Sequence, residues 1–178
     1  MFEYCTLGPS HLDQVLALES EVLSSLERPD LLRRNTPEMW RACLRPPHAA
    51  FGARVGEELA ALAVLYLPEA GSPEELAPLL RHAPPIQGPS ANYKICIVSP
   101  RFRGHGLQYR LGLMLEAEAR RCGIALLCST ASPHNAPSIR SLLRLGYRLD
   151  STLDKYGFER NLYCKALLPS PRPTIFSP

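Results

Sequence analysis

One stretch limits the fold of this chain more than any other: Val98-Ser99-Pro100-Arg101-Phe102-Arg103-Gly104-His105-Gly106-Leu107-Gln108. A short apolar run, residues 93–98, leads into it, and an amphipathic run to Cys122 follows. A strand therefore enters a tight turn, and that turn becomes the first turn of a helix. The leading amides of such a helix lack partners inside it, and the helix dipole adds partial positive charge. Gly104 and Gly106 carry no Cβ, so a phosphate can approach the backbone. The pattern predicts an anion site, although a capping turn without a ligand would use the same residues.

Two common nucleotide loops do not fit. A Walker A loop needs Gly-x-x-x-x-Gly-Lys followed by Ser or Thr, and the chain has none here. A dinucleotide fingerprint needs a third glycine where Tyr109 stands, and the elements before it have the wrong order for that fold.

The remaining elements follow from periodicity and breakers. Residues 2–7 read as a strand, and Ser10 with Asp13 resembles a capping box. Leu12, Val15, Leu16, Leu18, Val22 and Leu23 then recur at helical spacing up to Pro29. A second helix is predicted over 37–44, with Thr36 as cap and Pro37 in the first helical position. Residues 49–55 and 59–67 form a hairpin with a charged tip. Residues 68–90 are rich in proline around a helical candidate at 73–82, and read as a long excursion between strands. After the strand at 92–98 and the helix at 106–122, with Leu107, Leu111, Met114 and Leu115 as its buried stripe, come a strand at 124–131 and a helix at 135–145 closed by Gly146. Two strands, 147–153 and 158–168, end the domain, and the tail at 169–178 is expected to be disordered. The order β-α-α-β-β-β-α-β-α-β-β is that of a mixed α+β domain with about seven strands over residues 1–168.

Bulk properties narrow the function. The net charge of +3 is mild and arginines are scattered along the chain, which argues against nucleic acid as a partner. No run approaches the ~20 apolar residues of a membrane span, and the first residues lack a signal peptide's basic and apolar regions. The six cysteines form no Cys-x-x-Cys pair and sit mostly in apolar runs, as buried free thiols of a cytoplasmic protein would. Histidines and cysteines do not cluster, so no metal is expected.

Arg101-Phe102-Arg103-Gly104-His105-Gly106 resembles the pyrophosphate signature Gln/Arg-x-x-Gly-x-Gly/Ala of the GNAT superfamily of acyl-CoA N-acyltransferases. The preceding Val98-Ser99-Pro100 is similar to that family's Val-x-Pro lead-in. Downstream, Asn135 opens a helix that ends in Leu145-Gly146-Tyr147, similar to the family's second cofactor segment. The resemblance covers roughly residues 1–168. It implies a mainly antiparallel sheet, and acetyl-CoA as co-substrate without a metal. The backbone of Arg103, Gly104, His105, Gly106, Leu107 and Gln108 would hold the coenzyme A pyrophosphate. The strand edge at Cys96, Ile97 and Val98 would pair with pantetheine, where it splays from the next strand. The Val98 amide would donate to the thioester oxygen, and Asn135 and Ser138 would contact the cofactor from the other arm.

The implied reaction is acetyl transfer to a primary amine of a small molecule by direct attack in a ternary complex. A protein or peptide acceptor and a non-catalytic acyl-CoA module stand as alternatives. The machinery departs from the family pattern at two points. The strand at 92–97 has no carboxylate to serve as base, leaving His134, or water leading to Glu159 or Asp154. The usual tyrosine acid is replaced by Leu142. Tyr156 and Arg160, at the last hairpin, are candidates to contact an anionic or aromatic acceptor. The state is monomer or homodimer, with the final strand as a candidate pairing edge.

Overall fold

Glu58 to Tyr66 is apolar almost throughout, and seven consecutive residues from Leu59 to Leu65 are buried. A strand covered on both faces must lie inside a sheet with helices above and below. The computed structural model, which describes residues 1–167, shows this arrangement; the tail expected at 169–178 lies outside the described residues. Its elements are β1 (Glu3–Leu7), α1 (Leu12–Ser24), α2 (Pro37–Cys43), β2 (Ala49–Val55), β3 (Glu58–Tyr66), β4 (Ser90–Val98), α3 (Leu107–Arg121), β5 (Leu126–Ala131), α4 (Ala136–Arg144), β6 (Arg148–Lys155) and β7 (Phe158–Ala166).

The sheet runs β1-β2-β3-β4-β5-β7-β6. Every pairing is antiparallel except β4 with β5. The final strand is therefore interior, and the free edges belong to β1 and β6. This corrects the expected pairing edge: β7 reaches β5 along Leu126–Ala131, and its own hairpin places β6 outside it.

Side chains alternate across β3. Ala61, Ala63 and Leu65 face α3, where Leu107, Leu111, Leu115 and Ala119 recur every four residues. Leu62 and Val64 face α1 and α2, meeting Val15, Leu18, Val22 and Trp40. Met114, expected in the α3 stripe, is only half-buried, and Gly112 takes that place against Leu145.

Local signals held at α2, where Thr36 Oγ1 accepts the Met39 amide (3.2 Å) and Pro37 opens the helix. They failed at α1. Ser10 lies in a preceding 3-10 turn, and His11 Nδ1 takes the Gly8 amide (3.0 Å), so no Ser10–Asp13 box forms. The helix expected at 73–82 is reduced to one 3-10 turn, Ala77–Leu79, within a run of turns whose flanks are tied to distant residues, Glu74 to Arg33 and the amides of Arg81 and His82 to Asp150.

Between α1 and α2 a buried carboxylate organises the chain. Glu19 accepts from the Asn35 amide and Asn35 Nδ2 (2.9 Å each) and from Trp40 Nε1 (2.8 Å). Glu19→Gln turns one of these acceptors into a donor facing a donor. We expect a loss of about 1–3 kcal/mol, read as a lowered urea midpoint with an unchanged slope.

Candidate active site

The decisive geometry is where β4 and β5 part. They pair at only three positions, Ser90–Asn92 against Leu126–Cys128. Beyond Asn92 the strands diverge, and Ser129 Oγ donates to the Tyr93 carbonyl (2.9 Å) at the apex. The edge of β4 from Lys94 to Val98 is left without a strand on that side, while its other side is paired with β3. The divergence opens a cleft of about 750 Å³, within the usual range for small-molecule sites.

One end of the cleft is the 103–108 turn. Gly104 (φ +84°) and Gly106 (φ +70°) adopt the left-handed region, and a Cβ at either would meet nothing within 4 Å. Gly106 stands at the N-cap of α3 with no side-chain cap, so the first amides of α3 lack a side-chain acceptor. Arg103, Gly104, Gly106, Leu107 and Gln108 line the cleft. The His105 side chain does not: its Nδ1 sits on the Phe102 and Arg103 carbonyls (3.2 and 3.1 Å), and its ring packs edge-on to Phe2.

Across the turn lies α4. Asn135 Oδ1 caps it by accepting the Ser138 amide (3.2 Å), and Asn135 Nδ2 donates to the Leu31 carbonyl (3.3 Å). Ser138 Oγ accepts from Gln108 Nε2 (3.1 Å), tying α3 to α4. Both residues line the cleft, with side chains already engaged in fixing its wall. Cys96 and Val98 are half-buried and pack toward α3, whereas the Ile97 side chain is buried toward α1 and offers the cleft its backbone.

His134 is exposed and lines the cleft. Asp154 and Glu159 are exposed and line no part of it, which removes them as ends of a water chain. They alternate outward on β6 and β7, while Arg160, the next residue, points inward. Leu142 lines the cleft at 1% exposure and carries no proton to give. The Tyr93 hydroxyl donates to the Gln108 carbonyl (3.1 Å), and burial raises its pKa well above normal. Cys128 is a core thiol: it is fully buried, and burial pushes its pKa up to about 12.

The other end of the cleft holds a cluster that the sequence did not announce. Glu74, from the 68–90 excursion, accepts from Arg33 Nη1 (2.9 Å), from the Tyr156 hydroxyl (3.3 Å) and from Lys94 Nζ. Its own carbonyl accepts from Asn92 Nδ2 (2.7 Å). Arg33 also lies over the Tyr156 ring at 4.0 Å. Burial pushes the Glu74 pKa upward, but bonds and charge from Lys94 and Arg33 prevail and hold it below the usual value. Burial pulls the Lys94 pKa down, more than Glu74 restores it. The β4 position bearing Lys94 thus borrows a carboxylate from the excursion. Tyr156, at φ +59° in the β6–β7 turn, is held in a backbone region that aromatic residues seldom occupy. Arg33, Lys94, Tyr156 and Arg160 all line this end.

Among the described residues no group of His, Cys, Asp and Glu is arranged to hold a metal, and no helix is long and apolar enough to cross a membrane. No curated protein matches the chain in sequence. Solved structures do match it in fold. NAA60 of Arabidopsis thaliana, solved with a bisubstrate analogue, aligns with TM-score 0.72 at 16% identity, over 96% of this chain and 100% of that one. The ribosomal-protein-S18-alanine N-acetyltransferase of Escherichia coli aligns with TM-score 0.70 at 15% identity, over 97% of each chain. The yncA protein of Salmonella typhimurium, a putative acetyltransferase solved with acetyl-CoA, aligns with TM-score 0.69 at 15% identity, over 95% and 98%. Residues 14–147 match the model of the acetyltransferase (GNAT) family, a span that includes the turn, the diverging strands and the Asn135-capped helix. The chain belongs to the acetyltransferase (GNAT) family, and is an acyl-CoA-dependent N-acetyltransferase with acetyl-CoA as its co-substrate.

Proposed function

We propose that this enzyme acetylates the primary amine of a small molecule in a ternary complex. The observation that carries this reading is the docking of the 68–90 segment at the acceptor end. Glu74 is bound by three residues lining the cleft, Leu76 lines it directly, and the Lys155 ammonium donates to the Pro73 carbonyl (2.6 Å). Asp150 further receives the amides of Arg81 and His82 (2.9 and 2.7 Å). A segment held at so many points narrows the acceptor end, where a protein substrate needs an open groove.

The residues present fit acetyl-CoA. The α3 amides and the open space at Gly104 and Gly106 suit a pyrophosphate, and the unpaired β4 edge suits the amides of pantetheine. Acetyl-CoA supplies an activated acyl group. The amine nitrogen attacks the thioester carbon; a C–N bond forms, the C–S bond breaks, and coenzyme A leaves as thiolate. Holding both reactants in one cleft removes much of the entropic barrier. The Val98 amide would donate to the thioester oxygen as charge develops there. The ammonium proton has to leave before attack, and His134 is the exposed base lining the cleft. With leucine at 142, the thiolate takes its proton from solvent.

The test is coenzyme A release from acetyl-CoA with a panel of small amines and a matched panel of peptides. Turnover confined to small amines supports the reading; peptides turned over more efficiently would replace it. His134→Ala should lower kcat about 100-fold and alter the pH–rate profile. An unchanged profile removes His134 as the base.

A further inference from the structure

Among the described residues, the acceptor end carries one cation without a counterpart. Among the described residues, no Asp or Glu lines the cleft. Arg33 and Lys94 share the carboxylate of Glu74. Arg160 has no such partner. It lines the cleft at 4% exposure, and neither its Nε nor its Nη2 has a hydrogen-bond partner. Asp30 is near enough to favour its charge, but the Asp30 oxygens are occupied by Ser132 Oγ (2.6 Å) and Arg28 Nε (2.9 Å). The Phe158 ring, 5.6 Å from the guanidinium carbon, supplies only a π face. Tyr156 and Arg33 also lie near it, and the Tyr156 hydroxyl is spent on Glu74.

Nε and Nη2 form the edge of a guanidinium whose two N–H bonds run parallel. That edge matches the two oxygens of a carboxylate. Buried donors with no acceptor are costly to keep, and a buried charge left unpaired costs more. A fold that keeps Arg160 in this state, facing a cleft without acidic side chains, leaves the missing acceptor to be supplied from outside.

We infer that the acceptor amine bears a carboxylate, which Arg160 grips through its Nε–Nη2 edge, so that the substrate class is small amino acids or aminoalkanoates. The inference rests on the small-amine reading above. To engage such an acceptor the guanidinium turns toward the cavity it lines, and two unpaired donors gain partners. Glu74 keeps Arg33 and Lys94 from competing for the same carboxylate, while the surplus of positive charge favours an anionic acceptor over a purely cationic one.

Matched sets test this: amino acids and aminoalkanoates against the same compounds decarboxylated, or with the carboxylate converted to an amide. Coenzyme A release is the readout, and acetyl-CoA affinity is measured separately by calorimetry. We expect kcat/KM at least about tenfold higher for carboxylate-bearing members. In Arg160→Gln that ratio should fall toward one, chiefly through the acceptor KM, with acetyl-CoA affinity within about twofold of the parent. Arg160→Lys, which keeps charge without the fork, should recover only part of the ratio, and circular dichroism checks that both variants fold. Equal or better turnover of decarboxylated amines overturns the inference and leaves the small-amine reading intact. Preference for peptide N-termini, or binding of acetyl-CoA with no small amine accepted, overturns both.

Discussion

Gly106→Glu should lower the affinity for acetyl-CoA by at least about a hundredfold, the equivalent of roughly 3 kcal/mol. The new side chain leaves the backbone at the first turn of α3, where its Cβ meets nothing within 4 Å. It therefore projects into open space beside the amides proposed to hold the pyrophosphate. Its negative charge competes for those amides and repels the phosphates. The fold should survive, because the left-handed backbone at φ +70° costs a non-glycine residue only about 1–2 kcal/mol. Gly106→Ala isolates that cost: it carries the same backbone strain without charge, and should lose far less affinity. Calorimetric titration of both variants with acetyl-CoA is the measurement. Affinity for Gly106→Glu within about threefold of the parent would remove the turn from the cofactor site.

Glu74→Ala should cost about 3 kcal/mol and release the 68–90 segment. The Lys94 side chain is only 6% exposed, and without Glu74 its ammonium is buried beside Arg33 with no compensating charge. The Tyr156 hydroxyl loses its acceptor as well. The acceptor KM should rise, while acetyl-CoA affinity, set at the other end of the cleft, stays near that of the parent. Rapid proteolysis or hydrogen exchange within 68–90 reports the release directly. Acid should produce the same release in the parent protein. The folded pKa of Glu74 lies below the ordinary carboxyl value of the unfolded chain. Its stabilisation is thus complete above that value and is lost as the pH falls through the folded pKa. If the segment detaches equally at neutral pH with and without Glu74, the cluster does not hold it.

These two sites also show where sequence reading succeeds. The 103–108 turn was legible because its determinants are local: Pro100 sets the lead-in, two glycines take positive φ, and the apolar residues of α3 follow at fixed spacing. The Asn135 cap and the Gly146 stop of α4 were legible for the same reason. The Glu74 cluster was not. Its partners lie 20, 41 and 82 residues away at Lys94, Arg33 and Tyr156, and no local pattern carries a pairing of that range. At Asp154 and Glu159 the hairpin was placed correctly, but a one-residue difference in register decides which side chains face the cleft. There Arg160 turns inward and its two acidic neighbours do not. The interior position of β7 likewise depends on strand order, which the alternation of apolar residues does not encode.

The three-rung seam between β4 and β5 sets stability against activity. Each additional rung would add backbone hydrogen bonds and close part of the cleft. Screening this chain for thermal tolerance alone would therefore reward variants that zip the two strands together, and the best of them would be excellent folds with nowhere to put a substrate.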